Sequence, residues 1–202
     1  MTDRDAFLAN VDVSRETLDQ LDIYAKLLAQ WNPKINLVAP GTLNAVWTRH
    51  FLDSAQLVSL AERPAVWADL GSGGGFPGAV VAILAGDAQR TVLIESDQRK
   101  ASFLRTVARE TCGFEVVSQR IETAEPQHAD VVSARALAPL PKLLDHVSRH
   151  LKTGGRALLP KGRKADEELR EALEHWRFDC ETYPSQTDPD AVILSIGDIT
   201  RA

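Results

Sequence analysis

The sequence predicts an α/β fold: a mostly parallel sheet with an antiparallel C-terminal strand, preceded by a helical N-terminal segment. Three observations predict it. A short apolar run, Ala65 to Leu70, feeds a loop carrying Gly71, Gly73, Gly74, Gly75 and Gly78, and a second apolar run, Pro77 to Leu84, follows. Beyond that unit, apolar stretches of strand length alternate with segments of helical periodicity. Before it, apolar residues recur only at helical spacing. The chain therefore divides at residue 60, with 1–60 a helical segment packed on the core and 61–202 the sheet domain.

Composition sets the outer bounds. At 202 residues, 44% hydrophobic and 25% charged, the chain suffices for one compact domain with an appendage. Cys112 and Cys180 make no disulfide framework and read as small buried hydrophobes, which points to a reducing cytoplasm. The N-terminal stretch is polar and acidic, and no apolar run reaches the length of a membrane span. The net charge of −5 hides an asymmetry: residues 133–164 carry eight Lys/Arg against one Asp/Glu, and 165–202 carry three against ten. The basic belt comprises Arg135, Lys142, Arg149, Lys152, Arg156, Lys161, Arg163 and Lys164. It suits phosphate contact, and a solvated face balanced by the acidic tail accounts for it equally well.

In chain order, Ser14 to Trp31 is an amphipathic helix with Leu18, Leu21, Tyr24, Ala25, Leu28 and Trp31 on its apolar side, stopped by Asn32-Pro33. The following KINLVAPGTL is expected to loop over the glycine site, and Leu43 to Thr48 to form a short helix. Arg49, His50, Asp53 and Ser54 then bunch on a further helix. A hydrolase triad of Ser54, His50 and Asp53 is disfavoured because no nucleophile elbow surrounds Ser54. His50 and Asp53 instead pin this helix to the sheet or face the mouth of the site.

In the glycine unit, positive φ and close backbone approach are what glycine permits, and a strand, a loop and a helix N-terminus in that order outline a nucleotide site. Gly73, Gly75 and Gly78 satisfy the dinucleotide pattern G-x-G-x-x-G, a weak signal alone. Asp69, Gly71, Gly73 and Gly75 also spell Asp-x-Gly-x-Gly-x-Gly, which resembles the first motif of S-adenosylmethionine-dependent methyltransferases. An acid suits a cofactor bearing an ammonium and a sulfonium, and would repel a pyrophosphate.

The strand TVLIESD (91–97) ends in Glu95, about twenty residues past the loop, where a carboxylate reaches ribose hydroxyls. Gln98 to Glu110 is a helix and Phe114 to Val117 a third strand. Ile121 and Glu122 fall where an adenine pocket should be. The strand at ADVVS (129–133) delivers Ser133, Ala134 and Arg135 to the same sheet edge. Helix 141–150, a strand at 154–162, an acidic helix from Ala165 to Trp176, and closing strands near 178–183 and 191–196 complete the pattern. Ser-Ala-Arg-Ala is not the Asn/Asp-Pro-Pro-aromatic motif of amino-group methyltransferases. Neither cysteine sits in the Pro-Cys pair that cytosine-carbon methylation needs.

Taken together, WNPKINL, RHFLDS, DLGSGGGFPG, LIESDQRKASFLR, SARALAPL and LLPKG, in that order, resemble the RsmG (GidB) family of small-subunit ribosomal RNA methyltransferases along nearly the whole chain. The resemblance implies a Rossmann-like class I methyltransferase fold and transfer of methyl from S-adenosylmethionine to N7 of a guanosine in the decoding-region loop of 16S rRNA. It implies a cytoplasmic enzyme, expected to be a monomer acting on 16S rRNA or the small ribosomal subunit. Matched by motif, it places cofactor contacts on Gly71, Phe76, Ile121, Glu122 and Arg135, beside the Asp69, Gly73, Gly75 and Glu95 read from the residues. The chain departs from the family at Ala39, where threonine is common.

No general base, covalent nucleophile or metal ligand is expected, because guanine N7 offers a lone pair and no proton. Asn36, Arg49, His50, Arg135 and Lys161 are the candidates for the RNA side. Three other readings compete: a methyltransferase for another RNA, an NAD(P)-dependent oxidoreductase that would share the loop and Glu95, and a non-enzymatic RNA-binding module that would use only the basic belt.

Overall fold

The computed structural model describes residues 2–202. Helix α1 (Asp3–Leu8) starts in a capping box of Thr2 and Asp5. Helix α2 (Arg15–Ile35) starts at Ser14, whose hydroxyl accepts the Thr17 N–H at 3.1 Å. The expected stop at Asn32-Pro33 is corrected: α2 runs through Pro33 to Ile35. Proline so close to a helix end forfeits little of the hydrogen-bond ladder. The actual terminator is Asn36, left-handed at φ 49°, a position glycine or asparagine commonly fills. Buried Asn32 secures the exit by accepting the Val38 N–H at 2.8 Å.

The short helix expected at 43–48 is replaced by a 3₁₀ turn over Pro40–Ala45 and a π-helical turn over Trp47–Leu52, leading into α3 (Asp53–Ala55). Asp3 caps the π turn, its carboxylate accepting the Trp47 N–H at 2.7 Å and the Thr48 N–H at 3.1 Å.

The sheet domain follows as β1 (Val66–Leu70), α4 (Gly78–Ala85), β2 (Arg90–Ile94), α5 (Gln98–Glu110), β3 (Glu115–Val117), β4 (Ala129–Ser133), α6 (Leu140–His150), β5 (Leu151–Lys161), α7 (Ala165–Leu173), β6 (Trp176–Pro184) and β7 (Val192–Arg201). The strand order is β3-β2-β1-β4-β5-β7-β6. Strands β1 to β5 are parallel, and β7 alone is reversed, pairing antiparallel with β5 and β6. The acidic helix expected to reach Trp176 ends at Leu173, because Trp176 opens β6 and buries its ring against α6, its indole N–H donating to the Pro141 carbonyl at 3.1 Å.

Parallel strands with helices on both faces bury both of their own faces, and β1 does so: Trp67, Ala68, Asp69 and Leu70 are all buried. One face carries an aromatic-rich core in which Phe7, Tyr24, Trp47 and Phe51 of the N-terminal segment pack with Phe76, Phe103 and residues of α4 and α5. The other face packs β-strand residues against Leu140, Leu143, Leu144 and Val147 of α6 and Ala172 of α7. The reading of both cysteines as buried is corrected. Cys112 is half-buried, and Cys180 is exposed because edge strand β6 presents most of its residues to solvent. No described helix is long and apolar enough to cross a membrane.

Candidate functional site

Strand register brings the site together. Leu70 pairs with Ile94, Ile94 with Val117, and Asp69 with Ser133. The residues that follow these strand ends, Gly71, Glu95 and Ala134-Arg135, therefore emerge along one edge, where open α/β sheets bind ligands.

The glycine loop is shaped from behind. Gly75 has φ 96°, and a side chain there would collide with the Tyr24 hydroxyl and stand 3.0 Å from the Ala79 Cβ. At Gly78 an added Cβ would lie 2.6 Å from the Cβ of Asp69, so glycine lets α4 cross β1 closely. Tyr24 donates its hydroxyl to the Gly74 carbonyl at 2.5 Å. Its ring stacks with Phe51 and with Phe76, with centroids 5.2 and 5.5 Å away. Sequence periodicity counted Tyr24 only as core, since a stripe reveals which face is apolar and not what the phenol tip meets. The loop's outer side is open: nothing lies closer than 3.9 Å to where a Gly73 side chain would begin. Leu137 covers Gly71, its Cδ1 2.5 Å from where a Gly71 Cβ would stand.

The two candidate acids of this half differ in setting. Glu95 is buried at the end of β2, accepting the Gly73 N–H and the Asp97 N–H, each at 2.8 Å. Asp69 is wholly buried behind the loop. Its Oδ1 accepts the Ser133 hydroxyl at 2.7 Å, Ser133 in turn accepts the Trp67 indole N–H at 2.8 Å, and Oδ2 has no hydrogen-bond partner among the described residues. Burial pushes the Asp69 carboxyl up to about 6, against the Ser133 hydrogen bond, which favours the anion.

Ile121 and Glu122 lie on a segment held by the last turns of α6. His150 Nε2 donates to the Ile121 carbonyl at 3.0 Å, Arg149 to the Ala124 carbonyl at 2.8 Å, and His146 stands 3.8 Å from Glu122. Ile121 is buried and Glu122 exposed.

At the mouth, Arg135 lies over the Phe76 ring at 4.9 Å. It donates to Asp53 Oδ2 at 3.2 Å and to His50 Nδ1 at 3.1 Å. His50 stacks on Phe76 at 4.8 Å, and its Nε2–H donates to the Thr42 hydroxyl at 2.8 Å. Burial first, then Arg135 and Arg49, lower the His50 pKa to about 4, so the ring is neutral at pH 7 and accepts from Arg135. Asp53 Oδ1 also accepts the Thr187 hydroxyl at 2.8 Å and the Gln56 amide at 3.0 Å. Ser54 donates to the His50 backbone carbonyl at 2.6 Å, so no nucleophile–base pair forms there.

Beside this cluster opens a cleft of about 630 Å³, lined by Arg49, His50, Arg135, Lys161, Glu168 and Asp188 among others. Lys161 donates to Glu168 at 2.7 Å and to the Ala138 carbonyl at 3.0 Å. Four of the five candidate RNA-side residues thus line one cleft, and exposed Asn36 does not. Asp53, read as facing the mouth or pinning its helix, lines the cleft, while Glu168 and Asp188 escaped the sequence reading because they carry no motif. The basic belt is not a continuous face. Arg135, Lys152, Arg156, Lys161 and Arg163 are each paired with a carboxylate, and Arg149 is spent on the Ala124 carbonyl.

Comparison with known proteins agrees with this geometry. The profile of the family described as GidB, rRNA small subunit methyltransferase G, matches residues 17–188. A relative named Ribosomal RNA small subunit methyltransferase G from Ruegeria pomeroyi is 48% identical over 196 residues, covering 95% of this chain and 96% of its own. One of the same name from Rhodospirillum centenum is 53% identical over 195 residues, covering 96% and 89%. Among solved structures, a TehB-like SAM-dependent methyltransferase from Corynebacterium glutamicum superposes with a TM-score of 0.60 at 14% identity, over 90% of this chain and 100% of that one. TYW2 of M. jannaschii in complex with AdoMet superposes with a TM-score of 0.56 at 16% identity, over 74% and 75%. These two show the fold.

Proposed function

The chain belongs to the GidB family, the rRNA small subunit methyltransferases G, and we propose that it methylates N7 of a guanosine in the decoding-region loop of 16S ribosomal RNA. S-adenosylmethionine is the methyl donor. The residues fit that cofactor: the loop is open outward at Gly73, a buried carboxylate stands at the end of β2, and Asp69 keeps one oxygen unpartnered behind the loop. Gly71, Gly73 and Gly75 would hold the amino-acid half, Glu95 the ribose hydroxyls, and Ile121 and Glu122 the adenine. Phe76 and Arg135 would border the reacting end, with Asp69 acting from behind.

When bound, the cofactor would supply an electrophilic methyl carbon to guanine N7, its sulfur keeping the electron pair of the S–C bond and its positive charge passing to the base. N7 has no proton to lose, so the protein's part is orientation and electrostatics. His50, neutral at pH 7, adds no positive charge to a site whose reactant and product are both cations. Arg49 and Lys161 would hold RNA phosphate at the cleft, Lys161 through the one ammonium proton not spent on Glu168 and Ala138; Asn36 would meet the RNA outside it. The enzyme would act as a cytoplasmic monomer.

The observation that carries this reading is the coincidence of a family match over residues 17–188 with an open glycine loop beside a polar cleft at one sheet edge. Incubation with methyl-labelled S-adenosylmethionine and small-subunit RNA, naked and assembled, followed by mapping of the label, tests it. Label on guanine N7 in the decoding loop is the expected result. Label on another RNA or another base atom refutes the assignment of substrate.

A further inference from the structure

Resting on the cofactor reading above, we propose that Asp53 is the counter-charge of the reacting end, holding Arg135 over Phe76 and making the site favour cationic S-adenosylmethionine over neutral S-adenosylhomocysteine. Three cations line the cleft, and each is matched to a single carboxylate. Arg49 stands 3.9 Å from Asp188, Lys161 2.7 Å from Glu168, and Arg135 3.2 Å from Asp53. Only the last pair touches the glycine unit, through the stack of Arg135 on Phe76.

Within that stack the charges are unequal. Arg135 is a fixed cation, and its second partner, His50, is a neutral acceptor. Asp53 is therefore, among the described residues, the one negative group in direct contact with Arg135. The side chains of Arg135 and Asp53 are about four-fifths buried, 21% and 19% exposed, so solvent screens their charges incompletely. Asp69 is a poor substitute, since its burial penalises the anion. Without Asp53, the guanidinium would face a sulfonium, and after transfer a methylated base, with no compensation.

Asp53 is a positioning residue in this account, acting through Arg135. It also ties Arg135 to the hairpin between β6 and β7, because Asp53 Oδ1 takes the Thr187 hydroxyl. Replacement by asparagine keeps an acceptor for Thr187 and Gln56 but removes the charge and, in place of Oδ2, turns an amide N–H toward Arg135. A purely structural role for Asp53 would alter both ligands alike, whereas a counter-charge alters only the charged one.

The test is calorimetric titration of the full chain with S-adenosylmethionine and with S-adenosylhomocysteine at low salt. Asp53→Asn should weaken the first by about 3- to 10-fold, the scale of one unit charge in a half-screened site, and change the second by less than about 2-fold. The deficit should shrink as salt rises. Arg135→Gln, which leaves Asp53 unpaired, should move the ratio of the two affinities the opposite way, and Asp53→Glu should restore part of the parent ratio. Equal losses for both ligands in Asp53→Asn, or a ratio that Arg135→Gln leaves unmoved, overturn the inference while the cofactor assignment stands. A parent protein that binds neither ligand overturns both.

Discussion

Two glycines of one loop should fail in opposite ways. At Gly75, φ is 96° and an added Cβ meets the Tyr24 hydroxyl, Ala79 Cβ at 3.0 Å and Leu104 Cδ2 at 3.1 Å. A non-glycine residue in such a backbone region costs about 1–3 kcal/mol, and overpacking a filled core adds about 1–3 kcal/mol. Gly75→Ala should therefore lose roughly 2–6 kcal/mol, and at about 2–4 °C per kcal/mol for a chain of this size its Tm should fall by roughly 4–24 °C. At Gly73, φ is 57° and the nearest atom to an added Cβ is 3.9 Å away. Gly73→Ala should cost only the left-handed backbone term, about 1–2 kcal/mol and roughly 2–8 °C. Its Cβ stands on the open side of the loop, so the loss should appear as weaker S-adenosylhomocysteine binding. Thermal melts of both variants, with calorimetry on whatever is folded at 20 °C, separate the two effects. A Gly75→Ala protein melting within 2 °C of the parent, or a Gly73→Ala protein that binds ligand like the parent, would refute the account of which side of the loop is filled and which is free.

The remaining expectations concern the groups around that loop. Tyr24→Phe leaves the buried Gly74 carbonyl without its donor and should cost about 1–3 kcal/mol, read as a denaturation midpoint shifted at unchanged m-value. Asp69 and His50 should give opposite pH slopes to stability. With its folded pKa raised to about 6, Asp69 contributes stability that is present below about 4 and lost as pH rises through 6. With its folded pKa lowered to about 4, His50 contributes stability that is present above about 6.5 and lost as pH falls through 4. Denaturation series from pH 7 to 4 should thus show Asp69→Asn losing stability more steeply than the parent on acidification, and His50→Gln less steeply; a deviation of the opposite sign in either variant would contradict the assignment for that residue. Arg49→Ala should reduce the salt dependence of RNA binding by about one phosphate contact. Lys152→Ala should leave it unchanged, since Lys152 sits at the far end of β5 in an ion pair with Asp130.

Legibility in the sequence followed the physics of each element. The loop from β1 to α4 could be read because close packing against Tyr24 and Asp69 excludes any side chain at Gly75 and Gly78, and that demand is written as glycine. Helix α5 could be read to its ends because an Asp97 cap and a clean apolar stripe are local signals. Pro33 misled because a breaker acts through the hydrogen bonds it removes, and few are at stake in a last turn. The π turn at 47–52 left no local signal, since the Asp3 carboxylate that caps it lies more than forty residues away in the chain. The charge belt left two readings open for a related reason: counting along the chain gives only the sign of a segment, while Asp130, Asp179, Glu168 and Asp190 reach its cations through the fold, the last three from the acidic tail that the balanced-face reading named.

The same limit explains why the division at residue 60 is one of chain order and not of chemistry. Tyr24, His50 and Asp53 belong to the N-terminal segment, yet they set the glycine loop, the tautomer at the mouth and the partner of Arg135. Tyr24, Phe51, His50 and Phe76 form one run of stacked rings from α2 through the π turn to the loop. A loop built of glycines has no side chains with which to stiffen itself, so its shape must be imposed from outside, and here residues more than twenty positions upstream share that constraint with Glu95, Leu104 and Leu137 downstream. Removing the N-terminal segment should therefore abolish ligand binding even if the sheet survived, because the backbone left behind would have lost the contacts that select its positive-φ conformation.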